Sequence, residues 1–364
     1  ANGGQTGQGV HYDETFAPDV EWTTVRLLLT LALIQNWETR QLDFVLAYPQ
    51  AKIETDVFME VPRHFKVRNG DLVHDANAPK PKDQPHTLKL LQNLYGLKNA
   101  GQTWWKHLKT GLVNRGFVQS EVDPCLFYKK DLILVVYVDD CIVLSPKKQD
   151  VDKLIKSLGE SFVLTDEGDI SNYLGLAIER KKNAQGQPQF HLTQPALIQR
   201  CIDAAHLTDQ RESDIPASEI LRKGGEPRKT SFNYRYVVGS LNYLTMTTRP
   251  ELMFATHQAA RFCQDPRMQH EKGVKQIIRY LKATKNNGMI LTPDKSLGLQ
   301  CHVDADFAGQ YHPDHAEDPS TCYSRTGFII WYAGCPLIWS SKLQTQIALS
   351  TTEAEYIALS TAMR

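Results

Sequence analysis

Two adjacent carboxylates, Asp139 and Asp140, stand between the apolar runs 132–138 and 141–144. A plain hairpin turn accounts for them, because aspartate favours turns. A divalent-metal site accounts for them too, because neighbouring like charges are costly unless a cation neutralises them. A third carboxylate, Asp43, interrupts an apolar stretch between Leu42 and Phe44. Alternate residues of a strand share a face, so Asp43 points away from both neighbours. Alone it reads as a solvent-facing strand position; beside the hairpin it would converge with Asp139. Oxygen ligands with room for water and phosphate suit Mg²⁺, and two such ions serve in-line phosphoryl transfer. Spacing by itself leaves the convergence open.

The elements that must position these groups follow from periodicity. Residues 41–46 read as a strand followed by a turn near Tyr48-Pro49, and 132–138 with 141–144 as a hairpin turning at Asp139-Asp140. Thr23 or Thr24 can cap a helix over 25–35 that is apolar almost all round and so buried. Residues 69–85 read as a turn-rich basic surface loop, 104–112 as a helix, and 195–207 as another. The looser stretch 208–231 reads as a domain boundary. Arg249-Pro250 opens a helix. In the helix 271–285, Val274, Ile277, Ile278 and Leu281 share one face, while Lys272, Lys275, Arg279 and Lys282 lie on another. That charged face is either simply solvated or in contact with phosphates. From residue 297 the pattern turns to strands, over 297–303, 327–332 and 336–339, with a helix from about Thr351.

The chain has 364 residues with 41 Lys+Arg against 41 Asp+Glu, so any pull on nucleic acid must come from local patches. Small basic clusters at Lys80/Lys82, Lys147-Lys148 and Arg180-Lys-Lys182 fit either backbone contacts or solubility. No apolar run approaches the ~20 residues of a membrane helix, and no signal peptide opens the chain. Seven cysteines without a Cys-x-x-Cys pair fit reduced intracellular thiols. His312-x-x-His315 with Cys322 reads as a zinc site or as a polar loop. Trp104-Trp105 reads as helix packing or base stacking. The Gly- and Gln-rich start and the helical pattern running to Arg364 read as cut ends.

Short segments recur in a fixed order: His11-Tyr-Asp-Glu-Thr-Phe-Ala-Pro18, Gln41-Leu-Asp43, Leu94-Tyr-Gly-Leu-Lys98, Tyr137-Val-Asp-Asp140, Tyr173-Leu-Gly175, Val238-Gly-Ser-Leu-Asn-Tyr-Leu244, Thr248-Arg-Pro250, Arg279-Tyr-Leu281, Asp304-Ala-Asp306 and Ser350-Thr-Thr-Glu-Ala-Glu-Tyr356. As an ordered set, the chain resembles the reverse transcriptase of copia-type LTR retrotransposons, running into the start of its RNase H domain.

The resemblance implies an α/β fold of the α+β palm-polymerase type. It implies fingers and palm over residues 10–165, a thumb-like segment over 166–230, a helical connection over 231–296 and a truncated RNase H-like start over 297–364. It implies RNA- or DNA-templated addition of deoxynucleotides to a primer 3′-hydroxyl. Asp43, Asp139 and Asp140 would be catalytic and metal-binding, with Asp43 and Asp139 holding two Mg²⁺ (or Mn²⁺) ions and Asp140 beside them. Tyr48 would pack under the nucleotide sugar and exclude a 2′-hydroxyl. Gly96 and Lys98 would help bind the nucleotide; where the family often continues with Gln-Ala-Pro-Arg, this chain has Asn99-Ala-Gly-Gln102. Tyr173, Leu174 and Gly175 would form the primer grip. Asp304 and Glu355 would be the first two RNase H metal ligands, with Glu353 explained by a capping box and Asp306 a loop neighbour. Two further RNase H aspartates and the Lys/Arg residues that precede the His11 segment are absent, which implies an inactive RNase H part and weak polymerase activity. Implied partners are an RNA template, an RNA–DNA hybrid, deoxynucleoside triphosphates and other parts of the polyprotein (integrase, remaining RNase H), with no membrane. The implied location is intracellular, in cytoplasmic virus-like particles or the nucleus. The rival reading is an inactive or domesticated element product that binds nucleic acid or a protein partner.

Overall fold

The computed structural model describes Gly4, Gly7, Gly9, Val10 and residues 12–229 and 232–364. His11, most of the Gly- and Gln-rich start, and Thr230-Ser231 at the end of the loose stretch lie outside the described residues. The fold is mixed α/β with several small antiparallel sheets. It divides into two compact units, one of Ala1–Glu21 with Glu38–Asp169, the other of Trp22–Trp37 with Ile170–Arg364. The first helix, α1 (Trp22–Gln35), therefore belongs to the second unit.

In the first unit the chain runs through β1 (Glu38–Phe44), α2 (Ala47–Gln50), β2 (Phe58–Glu60), β3 (Phe65–Arg68), β4 (Asp71–His74), β5 (Thr87–Lys89), α3 (Ala100–Asn114), β6 (Val118–Gln119), β7 (Leu126–Lys129), β8 (Leu132–Tyr137), β9 (Asp140–Ser145), α4 (Lys148–Gly159) and β10 (Leu164–Gly168). Six strands pair in the order β10-β1-β9-β8-β7-β6. Alternation puts Leu42, Phe44, Leu134, Val136, Cys141 and Val143 in one buried cluster. Against them lie Trp104, Leu108 and Leu112 of α3 and Val151, Leu154 and Leu158 of α4, at the three- and four-residue spacing that aligns a helix face. Phe44, Trp104 and Phe162 meet edge to face in the middle of this cluster.

Two expected loops are more ordered than their composition suggests. Within 69–85, Asn69 and Gly70 both have positive φ and form the two-residue turn of the β3–β4 hairpin. The expected turn at Tyr48-Pro49 is the short helix α2, entered through Leu46 at φ 51°. Proline fits there because a first-turn residue has no helical N–H bond to lose.

The second unit continues with β11 (Asn172–Tyr173), β12 (Leu176–Lys182), β13 (Pro188–Thr193), α5 (Pro195–Ala204), α6 (Tyr234–Thr247), α7 (Met253–Ala260), α8 (Met268–Ala283), β14 (Met289–Leu291), β15 (Leu299–Ala305), β16 (Arg325–Tyr332), β17 (Cys335–Leu343) and α9 (Thr351–Ala362). One sheet is ordered β11-β12-β13-β14 and another β15-β16-β17. A single apolar cluster runs from Leu197 of α5 through Leu221 and Phe232 to Leu281 of α8. The stretch 208–231 thus contributes Leu221 to a shared core and does not separate two cores. Helix α1 is tied into this unit by Arg26, which is 5% exposed and donates to the carbonyls of Leu337 and Met246, each at 2.8 Å. Its guanidinium stacks 4.1 Å from the Trp339 ring centroid.

Candidate active site

The six-stranded sheet brings the first three carboxylates together. Strand β9 lies between β8 and β1, and its register sets Asp43 directly opposite Asp140. Tyr137 pairs with Asp140 on the other side, so the two-residue turn consists of Val138 and Asp139. This corrects the expected turn at Asp139-Asp140 by one residue: Asp140 belongs to the ladder and Asp139 to the tip.

Tertiary bonds hold that turn. Val138 has φ 54°, a left-handed conformation that is costly for a β-branched residue. The indole Nε1 of Trp104, a side chain 1% exposed, donates to the Val138 carbonyl at 2.6 Å. The Phe44 N–H, one residue after Asp43, donates to the Asp139 carbonyl at 2.9 Å. Trp104 is therefore a packing residue, as one reading of the Trp104-Trp105 pair has it, and also the clamp on the hairpin tip.

The electrostatics agree with the register. Burial, with Asp139 beside it, raises the Asp43 carboxyl above its ordinary value. Burial, followed by Asp139, Asp43 and Glu167, pushes Asp140 up to about 6. These carboxylates thus feel one another through a medium that screens poorly, where an added cation would be favourable. Among the described residues, no three His, Cys, Asp or Glu side chains form a ready-made metal cluster.

Aromatic hydroxyls ring the carboxylates. Tyr48 of α2 lies against Tyr95, their ring centroids 4.7 Å apart. Burial and then Asp139 raise the phenols of both Tyr48 and Tyr95, and Asp139 also raises that of Tyr137. The Tyr95 hydroxyl accepts a hydrogen bond from the Ala47 N–H at the start of α2. Tyr95 and Glu167 were not singled out from the sequence. Tyr95 sits inside the quoted Leu94–Lys98 segment, so its position was available there; Glu167 lies on β10, a strand with no clear apolar alternation.

The other expected site residues have the following surroundings. Gly96 has φ 96° and permits the bend before α3. Lys98 donates to the Tyr12 hydroxyl at 3.2 Å and lines a small cavity with Asp13, Glu14 and Phe16. Asn99 is the buried residue preceding α3, its carbonyl accepting the Thr103 hydroxyl. Tyr173, Leu174 and Gly175 lie in the second unit, where Leu174 and Gly175, both at positive φ, turn β11 into β12. The Leu174 carbonyl accepts the Tyr243 hydroxyl at 2.6 Å.

Asp304 is exposed on the edge strand β15, opposite Gly327, and Glu355 is exposed on α9, which packs on β15 and β16. Asp306 accepts the Arg325 N–H at 2.6 Å, a loop-holding role. Glu353 accepts the Leu349 N–H at 2.7 Å while Ser350 accepts the Glu353 N–H, so the helix start is capped from both sides. His312 precedes and His315 ends a single 3₁₀ turn, where the His312 ring accepts the Asp314 N–H. All seven cysteines are free.

Comparison with known proteins places the chain in a family. A family model described as reverse transcriptase (RNA-dependent DNA polymerase) matches residues 1–219. The chain belongs to the reverse transcriptase family. It is 30% identical over 96% of its length to the retrovirus-related Pol polyprotein from transposon TNT 1-94 of Nicotiana tabacum, covering 26% of that protein. It is 31% identical over 98% of its length to the corresponding polyprotein from transposon RE1 of Arabidopsis thaliana, covering 23% of it. It is 25% identical over 88% of its length to a putative transposon Ty5-1 protein of Saccharomyces cerevisiae, covering 98% of that protein. The chain thus spans about a quarter of the two plant polyproteins. None of the helices among the described residues is long and apolar enough to cross a membrane.

Proposed function

We propose that the chain is the RNA-directed DNA polymerase portion of a copia-type retrotransposon polyprotein, adding deoxynucleotides to a primer 3′-hydroxyl. The observation that carries this reading is the register that sets Asp43 opposite Asp140 with Asp139 at the adjoining tip. In palm-polymerase terms, the six-stranded sheet is the palm, the segments carrying β2–β5 belong to the fingers, and β15–β17 with α9 open an RNase H-like domain.

The donor set fits a hard divalent cation. It consists of oxygen ligands only, and burial, followed by the charges of Asp139, Asp43 and Glu167, holds Asp140 near 6, a charge repulsion that bound positive charge would relieve. Asp43 and Asp139 would hold Mg²⁺ (or Mn²⁺), with Asp140 beside them; bound there, the metal would favour the ionised 3′-hydroxyl and offset charge on the leaving pyrophosphate.

The remaining work falls to this chain's own groups. Trp104 and the Phe44 N–H fix the backbone of the hairpin tip that carries the Asp139 carboxylate. Tyr48, braced by Tyr95 and near enough to Asp139 for that carboxylate to raise its phenol, would exclude a sugar bearing a 2′-hydroxyl. Gly96 and Lys98 would line the incoming nucleotide, and the Tyr173–Gly175 turn would carry the primer end. Asp304 and Glu355 would be the first two ligands of an RNase H centre. Template and hybrid would be held mainly through phosphates, with affinity falling as salt rises.

The test is extension of a labelled primer on an RNA template with the four deoxynucleotides and Mg²⁺. Templated extension is expected, and it should fall when ribonucleotides replace deoxynucleotides. A chain that binds the duplex yet adds no nucleotide would instead support the rival reading of an inactive binding protein.

A further inference from the structure

Helix α2 has four residues, too few to hold its own shape in water, so contacts from outside set where Tyr48 sits. The chain enters α2 through Leu46 at φ 51°, and that residue offers no side-chain cap. The far end of the helix is clipped by Gln50. Its amide nitrogen donates to the Val45 and Val163 carbonyls at 2.7 and 2.8 Å, and its oxygen accepts the Val163 N–H at 2.8 Å. The near end meets Tyr95. The Ala47 N–H, the first of the amides that a helix start leaves without an intrahelical acceptor, donates to the Tyr95 hydroxyl.

The same side chain reaches Tyr48 itself, the two ring centroids lying 4.7 Å apart with the rings tilted by 38°. The Tyr48 hydroxyl lies near the start of α3, where a Cβ on Gly101 would come within 3.6 Å of it. Tyr95 is 46% exposed and precedes Gly96, whose φ of 96° bends the segment, so it belongs to no core. It joins the backbone at the start of α2 to the ring that α2 carries. A steric gate discriminates by position, and a misplacement of about 1 Å changes a rate by a large factor.

We propose that Tyr95 is a positioning residue for sugar selection: through the Ala47 N–H and its contact with the Tyr48 ring, it fixes how far that ring reaches towards an incoming sugar. The inference rests on the reading of Tyr48 as the gate. Its test is Tyr95→Phe, a conservative change at a half-exposed position that keeps the ring and removes the acceptor. The first readout needs no catalysis. Amide hydrogen exchange at Ala47 in the folded protein is expected to be at least about tenfold faster than in the wild type. The second is the ratio of ribonucleotide to deoxynucleotide use in competition on an RNA template, which divides out any general loss of activity. The ratio is expected to rise about three- to tenfold, less than for Tyr48→Ala. Tyr48→Ala combined with Tyr95→Phe is expected to match Tyr48→Ala alone, because the second change acts only through the ring already removed. Unchanged exchange, an unmoved ratio, or a double variant whose ratio exceeds that of Tyr48→Ala overturns the inference. Failure of the underlying reading shows without any Tyr95 variant. A wild type that adds no nucleotide, or a Tyr48→Ala ratio equal to that of the wild type, removes the gate and this inference with it.

Discussion

The indole N–H of Trp104 holds the backbone carbonyl of Val138 at 2.6 Å, and Val138 is the strained residue immediately before Asp139. A helix core position thereby sets the backbone on which a site carboxylate rides. Trp104→Phe keeps most of the ring packing and removes only the donor. It is expected to lower kcat for primer extension about tenfold with little change in KM for nucleotide, and to cost about 1 kcal/mol of stability. Steady-state extension kinetics beside urea denaturation would separate the two effects. A fall in stability with kcat unchanged would mean that the bond serves packing alone.

Tyr48 and Tyr95 lie against each other beside the carboxylates, their rings tilted by 38°, with Tyr95 anchored on the Ala47 N–H. Tyr48→Ala removes the ring and is expected to raise ribonucleotide use relative to deoxynucleotide use by at least about tenfold. Tyr48→Phe keeps the ring and should leave the ratio near that of the wild type. Competition assays with paired nucleotides read this directly; a ratio unmoved by Tyr48→Ala contradicts the gate.

The face of Asp43, opposite to Leu42 and Phe44, was legible in the sequence because strand alternation is a local rule, whereas its convergence with the Asp139-Asp140 pair was open from spacing and followed only from the family resemblance. The identity of the turn was not legible. A β-branched residue is a poor choice for positive φ, and Val138 is held there by Trp104 and Phe44, which lie far away along the chain. The membership of α1 in the second unit was illegible for the same reason, since Arg26 finds its partners at Met246 and Leu337. The packing of the charged face of α8 was not legible: Lys275 and Lys282 are internal fasteners, while Lys272 and Arg279 line a cavity. The Ser350 cap on the Glu353 N–H was readable because its partners lie within a few residues, while Glu353 reaches one residue beyond the expected capping box, to the Leu349 N–H.

Arg26 offers a stability test of the second unit. Burial alone lowers its pKa to about 9, yet its carbonyl partners and the Trp339 face keep it in place. Arg26→Ala leaves buried carbonyls without a donor and is expected to cost about 3 kcal/mol in chemical denaturation. Arg26→Lys should recover only part of this, because an ammonium cannot both stack on the indole and span two carbonyls. A loss below about 0.5 kcal/mol for Arg26→Ala would show that the contacts contribute little.

His257 supplies a pH dependence with a defined sign. Burial, then Arg325, Arg261 and Lys342, holds its pKa down to about 4, and its Nδ1 accepts from Arg325 at 3.2 Å. The unfolded chain takes up a proton near pH 6.5, which the folded chain refuses until about pH 4. Stability contributed by the neutral ring is therefore complete above pH 6.5 and is lost as pH falls towards 4. His257→Gln keeps an acceptor for Arg325 but cannot titrate. Its stability is expected to decline less steeply than that of the wild type between pH 7 and 4.5, as read by thermal unfolding at several pH values. Parallel profiles would rule out this histidine as the titrating group.

The central claim is that Asp139, at the tip of the β8–β9 hairpin, acts on the same reacting centre as Asp43 on the neighbouring strand. The most direct measurement is primer extension by Asp139→Asn on an RNA template, run beside duplex binding by the same protein. Extension reduced by at least about a hundredfold, with duplex affinity within a few-fold of the wild type, is the predicted result. Equal extension by the variant and the wild type would contradict the account.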